Sequence, residues 1–291
     1  MRVFVTGASG FIGSAVTSEL ISNGHEIIGL ARSDESAEAI TKAGVSALRG
    51  SLEDLDILKK AASEADGVIN LGFSQDMSNF AQSALTELKA IETIGEVLKK
   101  TNRPFVVASG GPNVSEMIDP NASTVPRVES ALKAIELAKH GVRTSVVRSA
   151  QCVHDENKVG LIAPLVDIAK KTGVSGYIGD GSNHWSAVHR IDDAHLFCLA
   201  IENAPAGSVL QAVAEGAIEI REIAEKIGQH LNLPVKSIPS DEAEKHFGWL
   251  SRVIGADLIA SSERTQRLIN WHPTHPDLFY DMDHGHFFDN I

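Results

Sequence analysis

Cysteine is nearly missing. The 291 residues include two, Cys152 and Cys198, with no paired spacing, which excludes a disulfide framework and a cysteine-based zinc motif. Basic residues are scarce as well: 26 Lys and Arg face 38 Asp and Glu, a formal net charge of −12. A surface of that sign repels phosphate backbones, so nucleic acid is not an expected partner. No apolar run approaches the roughly 20 residues of a membrane span. The opening Met1-Arg2-Val3-Phe4-Val5 runs straight into a strand pattern, without the layout of a signal peptide. The expected setting is the cytoplasm, with a small-molecule substrate, no membrane partner, and a monomer or homodimer as the assembly. Tyrosine occurs only twice, at Tyr177 and Tyr280.

What is present is an alternation of two periodicities. Short β-branched runs at 2–6, 26–30, 45–48, 67–71, 104–108 and 143–147 alternate with amphipathic stretches at about 12–22, 36–43, 55–65, 83–100 and 126–140. Strands and helices in this rhythm imply a parallel sheet covered on both faces. The expected fold class is therefore α/β, a Rossmann-type doubly wound parallel sheet with a smaller C-terminal substrate lobe. Residues 1–150 read as the nucleotide domain, rejoined by about 186–205. Residues 151–185 and 206–291 read as the substrate lobe. Beyond Arg148 the rhythm loosens: 154–160 reads as a polar loop, 161–171, 192–202 and 220–231 as helices, and 173–183 as loop or short strand. The stretch from Ser261 onward reads as a tail.

Between the first strand and the first helix lies Thr6-Gly7-Ala8-Ser9-Gly10-Phe11-Ile12-Gly13. Gly7 permits a tight turn, Gly10 lets backbone approach a pyrophosphate, and Gly13 lets the helix pack close to the sheet. The helix N-terminus adds unpaired N–H groups and partial positive charge. Strand, turn and helix in that order point to a dinucleotide site. The second strand ends Gly29-Leu30-Ala31-Arg32-Ser33. An NAD site places an acidic residue here for the ribose 2′-hydroxyl. Ala31 stands in its place, and the guanidinium of Arg32 with the hydroxyl of Ser33 suits a 2′-phosphate. NADP(H) is thus expected in preference to NAD(H), unless Arg32 is a surface charge paired with Asp34 or Glu35.

With these residues in hand the chain resembles the extended or atypical short-chain dehydrogenase/reductase family, and within it the epimerase/dehydratase-like subgroup. The likeness rests on the 6–13 turn, Asp66-Gly67-Val68-Ile69-Asn70-Leu71-Gly72, Phe105-Val106-Val107-Ala108-Ser109, Gly179-Asp180-Gly181, Val188-His189-Arg190-Ile191-Asp192-Asp193-Ala194 and Asn270-Trp271-His272-Pro273. It implies that Gly7, Ser9, Gly10, Phe11 and Ile12 line the diphosphate and that Arg32 and Ser33 hold the 2′-phosphate. Ser51 and Leu52 would lie beside the adenine, although Ser51 stands where the family often has Asp. Leu71, Gly72 and Phe73 would flank the ribose and nicotinamide, and Ser149 and Ala150 would border the nicotinamide.

The family's chemistry uses Tyr-x-x-x-Lys, and neither tyrosine here fits that pattern: Gly181 follows Tyr177 by four residues and His284 follows Tyr280. Counting back from Gly141 puts Ser123 at the Tyr position and Arg127 at the Lys position, with Ser109 as the supporting hydroxyl and Glu87 near the family's Asn. Arg127 can supply charge but cannot give up a proton. An imidazole is a competent substitute acid, so His154 is a catalytic candidate, with a loop histidine as its plainer reading. His189 is explained equally well by a structural bond to Asp192. Trp185 and Phe73 are candidate pocket walls or core residues. His272, His275, His284 and His286 fit no zinc spacing, and no metal is expected. The functional expectation is an NADP(H)-dependent oxidoreductase reducing a small carbonyl. The alternatives are a non-catalytic NADP(H)-binding or sensing protein and, behind it, a sugar-nucleotide epimerase or dehydratase.

Overall fold

The computed structural model describes residues 1–74, 79–110 and 126–289. In chain order the regular elements begin with β1 (Arg2–Thr6), α1 (Phe11–Ser22), β2 (Glu26–Ala31), α2 (Asp34–Lys42), β3 (Ser46–Arg49), α3 (Leu55–Glu64), β4 (Gly67–Asn70), α4 (Phe80–Leu98), β5 (Pro104–Ser109), α5 (Pro126–Leu137) and β6 (Arg143–Ser149). They continue with β7 (Cys152–His154), α6 (Ile162–Thr172), β8 (Ser175–Ile178), β9 (His184–His189), α7 (Arg190–Asn203), β10 (Ser208–Ala212), β11 (Glu215–Glu219), α8 (Ile220–Leu231) and β12 (Val235–Ile238). The short helices α9 (Ala243–Phe247), α10 (Ser251–Ile254), α11 (Glu263–Ile269) and α12 (Leu278–His284) follow. Two compact units divide the chain. The first is Met1–Arg148 with Ile191–Ala212 and Glu263–His272; the second is Ser149–Arg190 with Val213–Ser262 and Pro273–Ile291.

The first unit is built on the doubly wound α/β sheet that the alternating pattern predicts. Its seven strands run β10-β6-β5-β4-β1-β2-β3, and the pairings from β6 across to β3 are all parallel. Burial on both faces is why β4 and β5 read as near-continuous apolar runs. Phe4, Phe105, Leu58, Ile91, Ile94 and Leu98 are fully buried in the core beside the sheet. Helices α4 and α5 approach closely where α4 has no side chain: a Cβ on Gly95 would lie 2.3 Å from Leu137 Cδ1. Since β1 has β2 on one side and β4 on the other, the order reverses there. In such sheets ligands bind beyond the carboxyl ends of the strands at that switch.

The second unit holds a three-stranded sheet, β11-β9-β7, and a parallel pair, β12-β8. Its own core gathers Trp185, Phe247, Leu250, Leu278 and Phe287. The glycine-bearing 173–183 stretch holds the short strand β8, in line with its reading as loop or short strand. Two other expectations need correction here. His154 ends strand β7, parallel to β9, and does not open a polar loop. The segment after Ser261 is not a solvated tail, for it forms α11 and α12 and buries Trp271, Leu278, Met282 and Phe287. Among the described residues no helix is long and apolar enough to cross a membrane.

Candidate functional site

The glycine turn after β1 is built by close backbone approach. Gly7 adopts φ +72°, which L side chains rarely tolerate. A Cβ there would lie 2.8 Å from the Gly72 nitrogen and the Leu71 carbonyl carbon. At Gly13 a Cβ would sit 1.9 Å from the Gly7 oxygen, so only glycine lets α1 dock on the turn. Gly10 N–H donates to the Gly7 carbonyl at 3.0 Å, and Gly10 opens α1 with no side chain capping it. Ser9 and Gly10 are exposed, with Phe11 and Ile12 half-buried behind them. Bare backbone at a helix N-terminus, with no Cβ at Gly10, fits the diphosphate of a dinucleotide. Thr6 Oγ1 locks this turn to β4. It donates to Asn70 Oδ1 at 2.8 Å and accepts from the Gly72 N–H at 3.0 Å.

The ends of β2 and β3 carry the positive charge. Arg32 is exposed just after buried Ala31, and among the described residues its guanidinium makes no hydrogen bond or ion pair. Asp34, one partner the sequence offered it, pairs with Arg49 at 3.2 Å. Arg49 also faces the Arg32 carbonyl at 3.4 Å. Ser33 caps α2 in a reciprocal box with Ser36, so its hydroxyl is already engaged. Ser51 N–H and Oγ donate to Asp54 Oδ2 at 2.7 and 2.9 Å. The carboxylate missing at position 51 thus stands three residues on. Leu52 is half-buried, and its Cδ1 would be 3.3 Å from a Cβ on Gly72.

Beyond β4 and β5 lies an assembly whose members stand apart in the sequence. Arg127 Nε and Nη2 donate to the two oxygens of Glu87 at 3.3 and 3.1 Å. The same guanidinium stacks 4.0 Å over the Phe73 ring, and its Nη1 would be 3.3 Å from a Cβ on Gly110. Phe73 meets Phe80 edge to face, centroids 5.5 Å apart. The Glu87 side chain is 2% exposed. Burial pushes its carboxyl above the usual range, against the opposing pull of Arg127. The signal for this pair was in the sequence. Glu87 falls on the buried stripe of α4 with Ala84, Ile91, Ile94 and Leu98, and a carboxylate on such a stripe requires a partner. Two more polar atoms nearby, Ser109 Oγ and Asn70 Nδ2, are buried without a hydrogen-bond partner among the described residues. Ser123 lies outside the described residues. Ser149 ends β6, and buried Ala150 follows it.

His154 belongs to the second unit and is a buried, paired group. Its Nδ1 lies 2.7 Å from Asp281 Oδ2 and its Nε2 3.9 Å from Glu215. His189 meets His154 edge to face at 5.6 Å, stacks on His275 at 4.8 Å and lies 3.7 Å from Asp281. Burial pushes the Asp281 carboxyl up to about 6. Trp185 is a fully buried core residue, not a pocket wall. The late histidines occupy separate settings: His272 faces Asn270, His284 stacks on Tyr280, and His286 pairs with Asp289.

The strand order, switch point and glycine turn define the class, a Rossmann-type α/β protein. The chain belongs to the NAD dependent epimerase/dehydratase family, whose model matches residues 3–140. It is 42% identical over 295 residues to an uncharacterized protein of Schizosaccharomyces pombe, covering 99% of this chain and 100% of that one. Among solved structures it resembles the UDP-glucose 4-epimerase of Thermotoga maritima with UDP-glucose, TM-score 0.74 at 19% identity, over 99% and 98% of the two chains. It also resembles the dTDP-glucose 4,6-dehydratase of Bacillus anthracis in complex with NAD, TM-score 0.73 at 16% identity, over 98% and 95%.

Proposed function

We propose that the chain is an NADP(H)-dependent oxidoreductase that reduces a small carbonyl substrate without a Tyr-Lys pair. The observation that carries the reading is the Gly7–Gly13 turn, in which a Cβ at Gly13 has no room and the α1 N-terminus is left uncapped. Gly7, Ser9, Gly10, Phe11 and Ile12 would hold the diphosphate. Arg32, unpaired among the described residues at the end of β2, would take the 2′-phosphate. Ser51, Leu52, Leu71, Gly72 and Phe73 would flank the nucleosides, with Ser149 and Ala150 toward the nicotinamide. A nicotinamide coenzyme, when bound, supplies the hydride.

The remaining work falls to this chain's own groups. Glu87 holds Arg127 by both oxygens, so the guanidinium is a fixed positive charge beside Phe73 and Gly110. Such a charge stabilises negative charge growing on a substrate oxygen. Ser109 Oγ, buried with nothing to bond among the described residues, donates to that oxygen. The proton comes from Ser109 or water, because Arg127 cannot release one and both Glu87 oxygens face the guanidinium.

The test is a fluorescence titration with NADPH and NADH, followed by loss of NADPH absorbance across a panel of aldehydes and ketones. Tighter NADPH binding and turnover with at least one carbonyl are expected. No saturable binding of either coenzyme sinks the proposal. NADPH binding without turnover points to the second reading, a non-catalytic NADP(H)-binding protein. One observation favours that reading: both tyrosines, Tyr177 in β8 and Tyr280 in α12, belong to the second unit.

A further inference from the structure

One face of α7 carries groups that the proposed coenzyme site does not use. His195, Cys198 and Glu202 recur at i, i+3 and i+7, so they line one side of the helix. Facing them are Glu19 of α1, which lies 2.8 Å from His195 Nδ1, and His25, whose Nε2 lies 2.8 Å from Glu202 Oε1. Donor atoms of His25, Cys198 and Glu202 all lie within 4.8 Å of one another. The Cys198 thiol is free and buried, and among the described residues it has no hydrogen-bond partner. The His25 side chain is 7% exposed and that of Glu202 32%, which leaves one side of the trio open to water. Because His25 precedes β2, the cluster lies at the amino ends of the parallel strands, opposite the glycine turn.

We propose that His25 Nε2, Cys198 Sγ and a Glu202 carboxylate oxygen bind one zinc-class divalent cation, with water in the fourth position. A mixed thiolate, imidazole and carboxylate set matches the ligand preferences of Zn²⁺ and Co²⁺ and not those of Mg²⁺ or Ca²⁺. The electrostatics agree, for Glu202 and Glu19 set two carboxylates beside His25 and His195 on this face, and such charge draws a dication. Arg143, the nearby cation, is committed to the carbonyls of Ile201, Glu202 and Ala204. On binding, the S–H bond breaks, an S–metal bond forms and the thiol proton leaves to solvent. The His25–Glu202 hydrogen bond, in which Nε2–H donates to the carboxylate, is replaced by two metal bonds, and the Nε2 proton passes through solvent to Nδ1. The exposed Met1 amino group, 3.3 Å from Nδ1, then turns away.

The experiment titrates the chelator-stripped full chain with Co²⁺ and follows its electronic spectrum, then displaces Co²⁺ with Zn²⁺. One equivalent should produce a thiolate-to-cobalt charge-transfer band with tetrahedral ligand-field bands, bleached by Zn²⁺. Cys198→Ser should abolish the charge-transfer band, whereas Cys152→Ser should retain it. His25→Gln and Glu202→Gln, checked for folding by circular dichroism, should each weaken Co²⁺ binding at least tenfold, so the proposal stays testable if Cys198→Ser does not fold. Absence of the band in the parent, its survival in Cys198→Ser, or unchanged affinity in both His25→Gln and Glu202→Gln overturns it.

Discussion

Alanine at Arg127 and alanine at Glu87 should destabilise the protein by unequal amounts, although each breaks the same ion pair. Glu87→Ala strands a guanidinium whose side chain is 18% exposed and which cannot shed its charge. Breaking a buried pair in that way costs about 3–5 kcal/mol. Arg127→Ala loses the stack on Phe73, about 0.5–2 kcal/mol, but it strands a group with an escape. The Glu87 carboxyl is already held above its usual range by burial, and without Arg127 its two strongest opposing influences vanish. It then takes up a proton, and the net loss should be about 1–3 kcal/mol. The two variants should also differ in pH response. A carboxyl whose folded pKa is raised above its unfolded value contributes stability present below the unfolded pKa and lost as pH rises through the folded one. Arg127→Ala should therefore lose stability more steeply than the parent as pH rises above the ordinary glutamate pKa, whereas Glu87→Ala, lacking the group, should be flatter. Urea unfolding at several pH values, with the double variant closing the cycle, measures all of this. Equal losses with parallel pH profiles would refute the assignment of a buried, proton-accepting Glu87.

Three further outcomes are expected. Gly13→Ala forces a Cβ to 1.9 Å from the Gly7 oxygen, so it should lower stability by at least about 1–3 kcal/mol and weaken NADPH binding; an unchanged melting temperature and affinity would contradict the close docking of α1. Arg32→Ala should cut NADPH affinity roughly tenfold, the scale of one charge-assisted hydrogen bond, and leave NADH affinity in place; equal losses for both coenzymes would remove Arg32 from the 2′-phosphate. Asp281 has its folded pKa raised to about 6, so its contribution is present below the ordinary aspartate pKa and fades as pH rises through about 6. Asp281→Asn should flatten the stability profile across that window, and an unaltered slope would show that another group sets it.

How much was readable beforehand differs between the two units for a physical reason. In the first unit the central strands β4 and β5 are buried on both faces, so Val68–Asn70 and Phe105–Val107 announce themselves by composition alone, and the helices between them by their 3.6-residue stripe. The glycine turn was equally plain, because Gly7 and Gly13 answer to sterics rather than to distant partners. In the second unit strands such as Glu215–Glu219 and Val235–Ile238 are short and partly exposed, and their pairing depends on chain far away. The tail was misread for the same reason: its prolines suggested a solvated segment, while Trp271 and Leu278 are held by residues that no local window contains. Within the candidate site, Arg127 and Glu87 were each noted, but their union could not be read without the fold. Ser123, placed by counting along a helix, falls outside the described residues.

Trp271 has a bearing on how the chain acquires its structure during synthesis. Its indole N–H donates to the Asp192 carbonyl at 3.0 Å, and Thr265 Oγ1 accepts from the Gln211 N–H at 2.7 Å. Both bonds lie inside the unit that begins at Met1. A ribosome that has released the first 150 residues has delivered every strand from β1 to β6, yet the lobe they form still lacks its last pieces. Those pieces emerge only after the intervening residues of the other lobe, so a nascent chain must hold an unfinished nucleotide-type fold while more than a hundred further residues pass the exit.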